Sequence, residues 1–212
     1  MKHVTFYFDV ISPYAYLAFE RLPEALQGLN YHVTYLPVLF AGLSKHHGQL
    51  GPAEIEPKRS WTYRQVQWLA HEMGIEMRLP TKHPFNPLGL LRLAVASNAE
   101  GLPNRYVVET LFHHVWHGGQ DAADMQRFQM LVDLLKPALN PNGPEVKELL
   151  KAHTETAIGK GVFGVPTLEV DGKLFFGLDA LPMLAAHLKQ DAWFAGSAWD
   201  DVLKIPVGAA RL

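Results

Sequence analysis

The chain has no cysteine in 212 residues. That excludes a disulfide framework, a zinc–thiolate centre and dithiol redox chemistry run on the protein's own sulfur. Lys and Arg are few, 19 against 21 Asp and Glu, and nowhere do they form a run. With a formal net charge of -2 there is no basic patch for nucleic acid or an anionic membrane surface, because both need clustered cations. No apolar stretch approaches the ~20 residues needed to cross a bilayer. The opening "MKHVTFYFDV" lacks the charged start, apolar core and small-residue cleavage site of a secretory signal. The expectation is a cytoplasmic protein with no nucleic-acid or membrane partner. Ala210-Arg211-Leu212 resembles the small-basic-leucine peroxisomal address. Three residues match easily by chance, so the cytosol is preferred.

What is present describes an ordinary folded protein, 48% hydrophobic and 19% charged, long enough for one domain with a large insertion. Residues 3–10 alternate and are rich in Val, Phe and Tyr, which predicts a buried strand. Ser12 then supplies an N-cap hydroxyl, and Pro13 fits the first helical position, where its missing N–H costs nothing. Tyr14, Leu17, Ala18, Leu22, Ala25 and Leu26 share one helical face, with a kink or restart expected at Pro23. "YHVTYLPV" (31–38) is a second strand. From 58 to 160 helix follows helix, punctuated by Pro, Gly and Asn. Trp61, Trp68, Leu69 and Met73 are expected on one stripe before Gly74.

Strands return in "VPTLEVDGKLFFG" (165–177), where Asp171-Gly172 signals a tight hairpin. A helix over 178–190 follows, with Asp179 near its start, and Trp193, Phe194 and Trp199 in the tail are expected to pack on the body or on a second subunit. This order is that of an α/β thioredoxin-like domain (1–57 and 161–212) carrying an all-helical insertion (58–160). Val165-Pro166-Thr167 sharpens the reading, because thioredoxin-like folds place a cis proline there, beside the active site. An edge-strand proline is the plainer alternative.

In such folds the reactive sulfur sits at the N-terminus of the first helix, where free N–H groups and the helix dipole stabilise a thiolate. Here that position holds Ser12-Pro13-Tyr14-Ala15. A hydroxyl cannot exchange disulfides, but it can donate a hydrogen bond to a thiolate that belongs to a bound cofactor. Ser12 as a simple helix cap is the competing interpretation.

The blocks "FDVISPYAYLAFERL", "GPAEIEPKRSWTYRQVQWLA", "HPFNPLGLLRL" and "GVFGVPTLEVDGKLFFGLDAL" together resemble the 2-hydroxychromene-2-carboxylate isomerases. These belong with the kappa-class glutathione transferases and the DsbA-like group. The resemblance spans nearly the whole chain and implies a glutathione cofactor and a homodimer. It implies that Ser12 contacts the glutathione sulfur and that the Val165 backbone pairs with the cysteinyl unit. By the same carry-over Leu178 and Asp179 hold the γ-glutamyl end, and Lys58 meets the glycine carboxylate. Kappa-class relatives carry an asparagine where this chain has Gln49, which is the expected substitute. Trp61, Tyr63 and Asn86 are placed on the side of an aromatic 2-oxo acid substrate. Read without the resemblance, Lys58 is a solvated charge, Asp179 and Asn86 are caps, and the aromatics are packing. The implied activity is glutathione-dependent isomerisation of 2-hydroxychromene-2-carboxylate or a similar acid. A conjugating transferase and a non-catalytic glutathione- or peptide-binding module are the alternatives.

His113 and His117, four apart on a predicted helix, have a spacing that can hold a metal. No Glu of the H-E-x-x-H kind accompanies them, and with 11 His in the chain such a pair arises by chance. No metal is expected.

Overall fold

Strand β1 (Lys2–Phe8) sends Val4, Phe6 and Phe8 into one hydrophobic core and Tyr7 into another. This is the period-2 alternation that its sequence predicts. The computed structural model that shows this describes residues 1–208; Ala210-Arg211-Leu212 lies outside the described residues. Strand β2 (Tyr31–Pro37) runs parallel to β1. Strand β3 (Thr167–Val170) is antiparallel to β1, with Tyr7 opposite Thr167, and β4 (Lys173–Phe176) closes a sheet of order β2-β1-β3-β4. Asp171 and Gly172 both take positive φ, +51° and +75°, as the tightest hairpin turn requires.

Helix α1 (Pro13–Ala25) connects β1 to β2 and buries Leu17, Ala18 and Leu22 against the first core. The helix does not restart at Pro23 but runs through it. Pro23 sits in the last turn on the solvent side, where its missing N–H leaves only one carbonyl without a helical partner. A short helix, α2 (Phe40–His46), follows β2 and was not expected from the sequence. Its first-turn Phe40 N–H is capped by a residue 31 positions away rather than by a neighbour.

The helical block comprises α3 (Glu56–Met73), α4 (Leu88–Ala96), α5 (Arg105–Trp116), α6 (Met125–Leu135) and α7 (Pro144–Gly159). In α3 the buried residues are Thr62, Val66 and Ala70. Trp61 and Trp68, expected on the inner stripe, are 62% and 58% exposed. They lie seven residues apart and so share a face with each other. That face is turned by roughly 150° from the one centred on Thr62, Val66 and Ala70. Helix α8 (Leu181–Leu188) is preceded by a 3₁₀ turn, Leu178–Ala180, so the helix expected from 178 begins in tighter form. Beyond it, Phe194 and Trp199 pack on Phe175 of β4, while Trp193 is half exposed. None of the helices among the described residues is long and apolar enough to cross a membrane.

The sheet is covered on both sides. Phe112 and Trp116 of α5 join α1 over Phe6 and Phe8, while Leu43 of α2 and Ala157 of α7 cover Tyr7 with Val38, Val162 and Val165. Trp116 is completely buried, and its indole N–H donates to the Val10 carbonyl at 3.0 Å. Trp116→Phe removes the ring that fills this space and strands that carbonyl. It should cost about 2–4 kcal/mol in urea unfolding. A loss below about 1 kcal/mol would show that the contact contributes little.

Candidate active site

Ser12 caps α1 as the sequence predicts. Its Oγ accepts from the Ala15 N–H at 3.2 Å, with the Ser12 backbone extended and Pro13 in the first turn. The same hydroxyl donates to the Val165 carbonyl at 3.2 Å, across 153 residues. Val165–Pro166 is a cis peptide, as expected for the residue pair leading into β3. The Val165 N–H makes no hydrogen bond among the described residues, and Pro166 has none to offer.

The loop between β1 and α1 is held at nearly every backbone group. The Ser12 N–H donates to the Asp9 carbonyl at 3.1 Å, and the Ile11 N–H to Asp9 Oδ1 at 3.1 Å. Asp9 Oδ2 accepts from the Phe40 N–H at 2.9 Å, which ties the start of α2 to the same loop. Trp116 holds the Val10 carbonyl, and His83 Nε2 lies 2.8 Å from the Ile11 carbonyl. Burial pushes the Asp9 carboxyl up to about 7, opposed by the two backbone N–H groups of Phe40 and Ile11. Burial also lowers the His83 imidazole, opposed by its bond to Ile11.

Beside Ser12 and Val165 a cleft of about 730 Å³ runs between α1, α3 and the segment from Phe176 to Pro182. Tyr14, Gln65, Leu69, Val165, Leu178 and Asp179 are among the residues that line it. Tyr14 donates its hydroxyl to Gln65 Oε1 at 2.7 Å. Burial raises the Tyr14 hydroxyl; a hydrogen bond with Thr62 opposes this and the Asp179 carboxylate adds to it. Gly177 is required at the cleft wall. Its φ of +99° disfavours any side chain, and a Cβ there would run into the Asp179 carboxylate.

Of the residues expected at the site, Val165, Leu178 and Asp179 therefore meet on one cleft, with Ser12 bonded at its edge. Gln49 is tied to the chain leading into Val165, its amide donating to the Phe163 carbonyl at 2.5 Å. Lys58 is exposed in the first turn of α3, where the positive helix end favours an anion over a cation. Trp61, Tyr63 and Asn86 are outside the lining of this cleft. Asn86 Oδ1 accepts from the Leu88 N–H at the start of α4, and the Tyr63 hydroxyl is engaged by His83. His113 and His117 stack at 3.8 Å, but His113 Nε2 faces Glu20 at 2.9 Å and His117 Nε2 faces the Tyr16 hydroxyl at 2.7 Å. The group whose donor atoms converge within 4.8 Å is Glu20, Glu109 and His113, which leaves His117 out. Sequence reasoning passed over Asp9, Tyr14, Gln65, Trp116 and His83. Only Asp9, directly before the strand–helix joint, carried a local signal.

Residues 3–189 match the family model described as a DsbA-like thioredoxin domain. The chain belongs to the DsbA-like thioredoxin family. Among curated members, glutathione S-transferase kappa 2 of Caenorhabditis elegans is 29% identical, covering 89% of this chain and 92% of that protein. A 2-hydroxychromene-2-carboxylate isomerase of Sphingobium xenophagum is 26% identical, covering 88% and 98%. Human glutathione S-transferase kappa 1 is 28% identical, covering 91% and 92%. A solved 2-hydroxychromene-2-carboxylate isomerase superposes with a TM-score of 0.77 at 24% identity, over 91% of this chain and 97% of that one, and establishes the shared fold. Enzymes are thus found among its relatives.

The carboxyl of Asp9 sets a pH dependence. Its folded value, about 7, lies above the ordinary 3.8, so the folded chain keeps a proton that the unfolded chain releases. The contribution of Asp9 to stability therefore falls as pH rises from about 4 to 7, by at most about 1.4 kcal/mol per pH unit. Asp9→Asn removes this component, so its unfolding free energy should decline less steeply than the wild type's across that window. Urea titrations at stepped pH measure both slopes, and equal slopes would refute a perturbed Asp9.

Proposed function

We propose that this chain is a glutathione-dependent isomerase acting on 2-hydroxychromene-2-carboxylate or a similar aromatic 2-oxo acid. One observation carries the reading: a cysteine-free chain holds the Ser12 hydroxyl on a helix N-terminus and against the carbonyl of Val165, at the edge of a peptide-sized cleft. The residues present suit a γ-glutamyl tripeptide thiol. Val165 has an unused N–H and a carbonyl with a second lone pair, so an extended peptide can pair with it as an added strand. Such a partner on the Val165 carbonyl leaves the Ser12 hydroxyl proton able to turn toward a sulfur. Leu178 and Asp179 would hold the γ-glutamyl end, a backbone N–H donating to its α-carboxylate and the Asp179 carboxylate accepting from its amino group. Lys58 would pair with the glycine carboxylate, and Gln49 would take the asparagine position of the kappa class. Trp61, Tyr63 and Asn86 are assigned to the substrate side by resemblance.

When bound, glutathione supplies a thiolate that adds reversibly to a conjugated double bond, which allows rotation about the former alkene. The protein's part is to keep that sulfur ionised through Ser12 and the α1 dipole, and to hold the tripeptide extended. A homodimer in the cytosol belongs to the same reading. A conjugating transferase is the second reading, favoured by the relatives named glutathione S-transferase kappa at 28–29% identity. Both activities need the same activated sulfur and differ in whether it is released.

Ser12→Ala should leave the chain folded at a cost of about 1–3 kcal/mol, from the lost cap and the lost bond to the Val165 carbonyl. It should also raise the pKa of the bound thiol and reduce thiolate absorbance near neutral pH. Unchanged activity with an unchanged thiolate signal would leave Ser12 a cap and nothing more.

Turnover separates the two enzymes. With glutathione far below substrate, conversion of 2-hydroxychromene-2-carboxylate should continue well past the glutathione supply while free thiol stays constant. Conversion that stops with the thiol consumed and an adduct formed identifies a transferase. Tight glutathione binding with no conversion of any conjugated 2-oxo acid identifies a binding module.

A further inference from the structure

Ser12 can act on a bound sulfur only if its position is fixed, and the peptide between Ile11 and Ser12 is what fixes it. That peptide is a rigid plane, gripped at both ends. Its N–H, which belongs to Ser12, donates to the Asp9 carbonyl at 3.1 Å. Its carbonyl, which belongs to Ile11, lies 2.8 Å from Nε2 of His83, a residue 72 positions along the chain. A carbonyl oxygen only accepts, so Nε2 carries the hydrogen and Nδ1 of the neutral ring is the acceptor. Nδ1 lies 2.8 Å from the Tyr63 hydroxyl, which is also 2.9 Å from the carbonyl of His83 itself. The imidazole is packed between Phe85 and Trp116, at 6.0 and 5.5 Å between ring centroids. The Ile11 carbonyl thereby sets the tautomer, the Tyr63 hydroxyl, shared between Nδ1 and the His83 carbonyl, orients the ring, and Nε2–H holds the plane that carries Ser12.

We propose that His83 is a positioning residue for Ser12, oriented by Tyr63. Its relevance to catalysis rests on the glutathione reading, whereas the positioning itself is a property of the free protein.

The test uses the full chain in four forms: wild type, His83→Leu, His83→Gln and Tyr63→Phe. Without any glutathione, His83→Leu should speed hydrogen exchange at the Ser12 and Ala15 amides by about tenfold or more relative to other α1 amides. The amide of glutamine can return an N–H near the place of Nε2, so His83→Gln should restore most of the protection. Tyr63→Phe should loosen the same amides to a smaller degree. With glutathione bound, the thiol pKa should rise by about one unit in His83→Leu and return in His83→Gln. The loss of turnover, on the order of tenfold, should fall on kcat more than on KM. Unchanged exchange at Ser12 in folded His83→Leu overturns the proposal, as does a glutamine variant as impaired as the leucine one. Should His83→Leu not fold, Tyr63→Phe decides, and unchanged Ser12 exchange there overturns it. Wild-type protein that binds no glutathione refutes the functional reading alone, since the exchange result stands without it.

Discussion

The hydrogen bond from the Ser12 hydroxyl to the Val165 carbonyl joins two segments 153 residues apart, and strand register makes it possible. Strand β3 lies antiparallel to β1 with Thr167 opposite Tyr7. The residues after β1 and those before β3 therefore leave the sheet at the same end. A slip of one residue would turn β3 over and exchange its two faces. Leu168 and Val170 pack in the core of Phe6 and Phe8, so such a slip would carry them out of it. The hydrophobic pattern of two short strands thus determines where a hydroxyl and a carbonyl meet.

Around that bond the structure follows a second constraint: a loop packed inside a protein must find partners for its backbone. The stretch from Asp9 to Ser12 is supplied by Asp9 itself, by Trp116 from α5 and by His83 from the segment before α4. Two elements distant in sequence, α5 and the segment before α4, converge on four residues. Burying a carboxyl group there carries a desolvation cost, visible in the upward shift of Asp9. The return is a rigid start to α1, with the Ser12 hydroxyl held at the edge of the cleft. Preorganisation of this kind is what the proposed site, whose reactive atom would arrive with a ligand, requires.

Much of the local chemistry was legible because it is local. Ser12-Pro13 had to begin a helix, and Asp171-Gly172 had to turn a hairpin, since both outcomes are decided by steric and capping preferences within a few residues. Val165, Leu178 and Asp179, singled out from the ordered motifs, line one cleft. Where reading failed, the deciding partner was remote or the angular resolution too coarse. Trp61 and Trp68 fit an apolar stripe by spacing, yet α3 buries the nearly opposite face of Thr62, Val66 and Ala70 and turns them outward. Helix α2 escaped notice because its first-turn N–H is satisfied by Asp9 and not by an adjacent cap. Pro23 looked like a restart, but a proline in the last turn costs the helix little.

By itself the sequence determined that no protein thiol exists here, that a hydroxyl stands at the helix start, and that strands flank a helical block. Those statements need only residue identity and short-range periodicity. Tertiary structure alone decided that His83 grips the Ile11 carbonyl and that Tyr63 spends its hydroxyl on His83. It also decided that His113 answers to Glu20 and not to His117. Imidazole, phenol and carboxylate each have several possible partners, and their choice is made by which helix faces and strand ends the packed cores bring within 3 Å. Nothing in the spacing of residues along a chain encodes that distance.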